Sequence, residues 1–99
     1  MLRESNKEEV LSELQKPGDR LVVFYADWCG PCRMYKGSLQ ELADKDNFEV
    51  LRVNIDTHRA FAKESGTESI PYSKLYRNGK LVKEFTGFKP YDVLKNDIQ

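Results

Sequence analysis

Apolar residues along this chain recur with two alternating periods, and the alternation predicts its elements. From Ser5 to Lys16, Val10, Leu11 and Leu14 fall on one helical stripe, and Ser5 with Glu8 three positions later fits a capping box. The run KPGD ends that helix. Arg20 to Ala26, RLVVFYA, is a short apolar run rich in β-branched and aromatic residues, the pattern of a strand buried on both faces. Helical spacing returns from Pro31 to Lys45 through Met34, Tyr35, Leu39, Leu42 and Ala43, with Pro31 in the first turn, where a missing N–H costs nothing. Gly37 interrupts this helix and is expected to weaken or bend it.

The second half continues the alternation. FEVLRVNI, Phe48 to Ile55, predicts another buried strand, and Thr57 to Ser65 a short helix with Thr57 as N-cap and Gly66 just past its end. Two more strands, Ile70 to Arg77 and Lys80 to Thr86, flank Asn78-Gly79, the strongest short signal for a hairpin. KPYDVLKNDIQ closes the chain as a helix, with Pro90 near its start and Val93, Leu94 and Ile98 on one side. Met1 to Glu4 is at most a stub of edge strand. The order α-β-α-β-α-β-β-α places the chain in the α/β class: a βαβ segment implies parallel strands, and the hairpin adds an antiparallel pair. A mixed sheet of four to five strands results.

Length and charge narrow the classes of function. At 99 residues the chain is long enough for one core, so a single domain over 1–99 is expected. Sixteen basic and sixteen acidic side chains cancel, which leaves no electrostatic footprint for nucleic acid or an anionic membrane. No window approaches the run of apolar residues that a membrane span needs. The N-terminal MLRESNKEEV has no apolar h-region, so a cytoplasmic setting is expected, where a lasting disulfide is uncommon and a transient catalytic one is the usual exception.

That setting sharpens the meaning of Cys29 and Cys32, the two cysteines of the chain. Cys29 falls in a strand-to-helix turn and Cys32 in the first helical turn. A helix N-terminus presents free N–H groups and the positive end of the macrodipole, and both favour thiolate over thiol. Cys29 is therefore the expected nucleophile, and Cys32, a turn further in, is positioned to resolve a mixed disulfide. A structural clip is the first alternative, but a disulfide stabilises mainly by closing long loops and this one is short. A metal site is the second; it needs about four ligands, and the single histidine, His58, lies in a separate predicted helix, where an exposed residue is the plainer reading.

The segment WCGPC, Trp28 to Cys32, with its lead-in VVFYAD, resembles the active-site motif of the thioredoxin family, and the likeness runs from about Leu2 to the end. SIPY, Ser69 to Tyr72, is a second anchor: the resemblance implies a cis Ile70-Pro71 bond beside the active-site disulfide. VNID (Val53 to Asp56), RNGK (Arg77 to Lys80) and FTGF (Phe85 to Phe88) fall where the family has matching segments. The implied architecture is the thioredoxin fold, a mixed sheet with helices on both faces. The implied activity is reduction of protein disulfides by dithiol–disulfide exchange, with Cys29 as nucleophile and Cys32 resolving. Trp28, Gly30, Pro31, Ile70, Pro71 and Gly87 would rim a shallow apolar substrate groove, Gly87 letting a substrate chain approach closely. Trp28 and Ile70 as core residues, and Gly87 as a strand-end turn, are the alternatives. No bound cofactor is implied beyond the redox-active Cys29–Cys32 disulfide. Its implied partners are protein disulfides and a thioredoxin-reductase-like donor drawing on NADPH through a flavin, with the chain itself monomeric.

Several positions depart from the family pattern. The buried aspartate usual six positions before the first cysteine is Val23 here, and Asp27, close in sequence, need not point at Cys32. Slower resolution by Cys32 at neutral pH is the expected consequence. The family lysine that pairs with that aspartate corresponds to Arg52, which is expected to reach solvent for want of a partner. Gly37 stands where relatives often have a kinking proline. Tyr72 follows Pro71 where threonine is usual, and is expected either to widen the aromatic groove or to occlude it. Ser73 and Lys74 put polar groups in a strand expected to be buried, so the Lys74 stem should snorkel. An oxidant or isomerase of the same fold, a glutaredoxin, and a thioredoxin-fold subunit that only binds partners are the competing functions; Gly30-Pro31 belongs with reductants, and no glutathione site is recognisable.

Overall fold

A computed structural model describes residues 1–99. The strands are β1 (Leu2–Glu4), β2 (Asp19–Tyr25), β3 (Glu49–Asn54), β4 (Tyr72–Arg77) and β5 (Lys80–Thr86); the helices are α1 (Lys7–Leu14), α2 (Gly30–Lys45), α3 (Arg59–Glu64) and α4 (Tyr91–Asp97). All five strands form one sheet in the order β1-β3-β2-β4-β5. β1, β3 and β2 are parallel, and β4 and β5 return antiparallel.

The apolar run of β2 is buried on both faces because helices cover both. Leu21 and Val23 pack with Val50 and Leu75 beneath Tyr35, Leu39 and Leu42 of α2 and Leu94 of α4. Val22 and Phe24 point the other way, with Leu51, Val53 and Tyr72, against Val10 of α1 and Ala62 of α3. The strand period of two thus divides one sequence run between two cores.

Two helix caps differ from expectation. Asn6, not Ser5, is the N-cap of α1: its side chain accepts from Glu9 N–H while the Glu9 carboxylate accepts from Asn6 N–H. Ser5 is instead buried, its own N–H given to the Arg52 carbonyl at 2.7 Å, so that the sheet claims it before the helix begins. Thr57 does not cap α3, because Asn54 Oδ1 accepts from both Asp56 N–H and Thr57 N–H and holds them in a turn; His58 is the N-cap, without a side-chain bond. Pro90 serves as N-cap of α4. Met34, Leu11 and Val93, which helical spacing assigns to apolar stripes, are exposed. Each lies at the edge of a stripe narrower than the spacing suggests.

The hairpin forms as expected, with Asn78 at φ 52° and Gly79 at φ 81°. A Cβ on Gly79 would also lie 2.7 Å from the Leu14 carbonyl oxygen, so glycine is required there twice over. Asn78 Oδ1 accepts from Gly18 N–H at 2.7 Å and fastens the hairpin to the KPGD turn. Lys74 behaves as its length demands: its stem is half-buried, and its ammonium lies 5.6 Å from the Tyr72 ring centroid, opposite Glu84 of β5.

Candidate functional site

The site lies where β2 ends and α2 begins. Cys29 is the N-cap of α2 in an extended conformation, and its Sγ accepts from Cys32 N–H at 3.2 Å. Cys29 and Cys32 are joined as a disulfide across a Cα–Cα distance of 5.2 Å. Both are buried, packed with Tyr25, Ala26 and the partly buried Ile55 and Ile70. The reason is local: β2 delivers Ala26 into the core, the chain turns through Asp27 and Trp28, and the Ala26 carbonyl accepts from Cys29 N–H at 3.2 Å. Pro31 then starts the helix without a lost hydrogen bond.

The expected groove residues gather around this pair. The Ile70 carbonyl oxygen is 3.9 Å from Cys29 Sγ, and the Ile70-Pro71 bond is cis. Pro71 is buried, and its carbonyl accepts from Gly87 N–H at 2.8 Å, which brings the FTGF segment to the site. Gly87 has φ 92°, and a Cβ there would project into open space, so backbone conformation rather than crowding calls for glycine. Trp28 is not core: it is 66% exposed, with its Nε1–H donated to Asp56 Oδ2 at 2.9 Å. Asp56 also belongs to this surface through that bond, and sequence reasoning missed it as a site residue, though VNID contains it. A hollow of about 510 Å³ lined in part by Asp56, Arg59, Lys63 and Thr67 adjoins the Trp28 contact.

Two expectations about this neighbourhood are corrected. Arg52 does not reach solvent. It is 6% exposed, its guanidinium 3.6 Å from the Tyr25 ring centroid and its Nη1 2.8 Å from Glu4 Oε2. A cation taken from water needs a partner; with Val23 apolar, Glu4, opposite Arg52 on the neighbouring β1, supplies the carboxylate. The Tyr25 hydroxyl donates to the same carboxylate, and burial together with that bond pushes its pKa up. Tyr72 neither widens nor occludes the groove. Its ring stacks on Phe24 at 6.0 Å in the core under α1 and α3, and its hydroxyl donates to Glu84; burial, then that bond, pushes its pKa up to about 12.

Asp27 points away from Cys32, as strand alternation allowed: its side chain is exposed and its carbonyl accepts from Arg33 Nη1 at 3.0 Å. Ser73, a polar residue in a strand expected to be buried, is indeed buried, and its hydroxyl is 2.9 Å from that of Tyr35. Burial pushes the Tyr35 pKa up. No group of three or more His, Cys, Asp or Glu converges as a metal site would require, and no helix is long and apolar enough to cross a membrane.

A vicinal cysteine pair capping a helix, at the end of a central parallel strand and beside a cis-proline, is the working centre of a thiol–disulfide oxidoreductase. Comparison with known proteins gives the same class. The thioredoxin family model matches residues 2–99. A thioredoxin of Griffithsia pacifica is 40% identical over 94 residues, which cover 93% of this chain and 84% of that protein. A chloroplastic thioredoxin F of Oryza sativa subsp. japonica is 35% identical over 93% of this chain and 51% of that protein. Among solved structures, a point mutant of a thioredoxin from Halobacterium salinarum NRC-1 superposes with a TM-score of 0.89 at 30% identity, covering 98% of this chain and 87% of that one. The chain belongs to the thioredoxin family, whose members reduce protein disulfides.

Proposed function

We propose that Cys29 attacks the disulfide of a protein substrate and that Cys32 then displaces the reduced substrate. The observation that carries this division of roles is the Cys29 Sγ at the N-cap of α2, accepting the Cys32 N–H. That position stabilises a thiolate through a hydrogen bond and the helix dipole together. Trp28, Gly30, Pro31, Ile70, Pro71 and Gly87 form the surface that receives the substrate. The exposed indole of Trp28 and the half-buried Ile70 suit an apolar stretch of polypeptide, and the free space over Gly87 lets a chain lie close. A reductase that draws on NADPH through a flavin recharges the pair. The chain works as a single-domain monomer in the cytoplasm and needs no bound cofactor, the disulfide itself carrying the electrons.

Turnover of a protein disulfide with dithiothreitol as electron source tests this reading. The unaltered chain should turn over, Cys29→Ser should not, and Cys32→Ser should accumulate a mixed disulfide through Cys29. Retained turnover in Cys29→Ser, or a mixed disulfide through Cys32, would reverse or remove the assigned roles.

A further inference from the structure

Beneath the cysteine pair lies a polar contact that the exchange reaction does not itself use. Tyr35 and Ser73 are both fully buried, and their hydroxyls are 2.9 Å apart. Tyr35 is one helical turn beyond Cys32 on the same side of α2. Ser73 is the second residue of β4, two beyond Pro71, and lies opposite Val23 of β2 and Phe85 of β5. The bond therefore joins the helix that carries Cys32 to the strand that carries Pro71.

No other side-chain hydrogen bond joins α2 to a strand: those of Gln40 and Lys45 stay within the helix, and that of Arg33 reaches only the Asp27 carbonyl. The other contacts of α2 with this core are apolar, from the Tyr35 ring, Leu39, Leu42 and Ala43, and apolar packing has no preferred direction. Two residues past Tyr35 stands Gly37, exposed, with nothing within 4 Å of where a Cβ would be. Glycine is the most permissive residue in a helix interior, so Gly37 is where the first turns of α2 can most easily bend against the rest. The Tyr35–Ser73 bond lies on the cysteine side of that weak point.

We propose that the Tyr35–Ser73 hydroxyl bond is a latch that positions Cys32 for the resolving step. Tyr35 and Ser73 are positioning residues and touch no reacting atom. In that step the Cys32 thiolate attacks Cys29 Sγ, the bond from Cys29 to the substrate sulfur breaks, and the substrate leaves as a thiolate that takes up a proton; the cysteine pair is oxidised as the substrate is reduced. Attack along the S–S axis tolerates little displacement, so a small rotation of the first turns of α2 slows it without touching either cysteine. The proposal rests on Cys32 being the resolving residue.

Stopped-flow reaction of the reduced protein with dithiobis(nitrobenzoate) separates the two steps, because attack by Cys29 and resolution by Cys32 each release one coloured thiolate. Tyr35→Phe, Ser73→Ala and the double variant should all slow the second phase by about tenfold, with the first phase unchanged. Stability should behave differently. Each single variant leaves one hydroxyl buried and unpaired, whereas the double variant leaves none and should recover toward the unaltered chain. The latch is overturned if the second phase follows stability and recovers in the double variant, or stays within about twofold of the unaltered chain throughout. If the unaltered chain, mixed with one equivalent of the reagent, releases only one thiolate per molecule, the resolving role of Cys32 falls and the latch falls with it.

Discussion

The guanidinium of Arg52 lies against the ring of Tyr25, 3.6 Å from its centroid, on the strand pair that leads into the cysteines. Glu4 closes the arrangement from β1, bonded to both residues. In register across the sheet the row is Glu4, Arg52, Val23, Ser73 and Phe85. Val23 thus sits between a cation and a hydroxyl, with the carboxylate one strand beyond the cation. The carboxylate of this row stands at its edge, where it is half in water.

Removing the Glu4 charge should strand the buried cation. Glu4→Leu is expected to lower stability by about 2 kcal/mol, since Arg52 then keeps only the Tyr25 face. Glu4→Gln should cost about half as much, because its amide oxygen still accepts. Urea unfolding of the two variants orders them; equal losses would mean that a neutral acceptor does nothing for Arg52 and that the charge of Glu4 carries the whole effect.

Glu13 gives a pH dependence of defined sign. It is buried, and its bonds to Lys16 and Arg20 hold its pKa below the ordinary 4.5. A carboxylate with a depressed folded pKa contributes stability above its unfolded value and loses it as pH falls through the folded one. The gap between the unaltered chain and Glu13→Gln should therefore be full at neutral pH and close progressively below about pH 4.5. Urea midpoints of both proteins between neutral pH and about pH 3 measure it. A constant gap would show that Glu13 acts by packing alone.

Two glycines should respond in opposite directions to alanine. Gly37 has ordinary helical geometry and open space beside it, so Gly37→Ala should stabilise by about 1 kcal/mol. Gly79 has φ 81° and the Leu14 carbonyl oxygen 2.7 Å from a built Cβ, so Gly79→Ala should cost about 2 kcal/mol or more. Thermal unfolding of the two variants suffices, and a shift of the same sign in both contradicts the assignment.

Val23→Asp places a carboxyl between Arg52 and Ser73 in the middle of this row. Lost apolar burial and a carboxyl in the core should lower stability by about 2–4 kcal/mol at neutral pH. Burial raises the pKa of such a group, so the loss should shrink as pH falls. The second phase of disulfide exchange should quicken at neutral pH, since the Cys32 proton gains a nearby acceptor. An unchanged rate would assign that proton to solvent.

Local signals in the chain carried most of the fold. The doubly buried character of RLVVFYA, the Asn78-Gly79 turn and the helical stripe of Leu39, Leu42 and Ala43 all survive in the structure, because each depends on periodicity or on one residue's backbone preference. The cysteine pair was legible for the same reason: a motif at a strand-to-helix junction specifies its own surroundings. Caps were not, since Asn6 and Ser5 offer the same chemistry one residue apart, and only the pairing of β1 with β3 takes Ser5 for the sheet. Partners distant in sequence were decided by tertiary structure alone. Nothing in the chain says that Arg52 meets Glu4, that Tyr72 turns from the cysteines to Phe24, or that Ser73 meets Tyr35. The physical reason is common to all three. A polar group in the core must find whichever complementary group the sheet register brings within reach, and register is a property of the assembled strands rather than of any one of them.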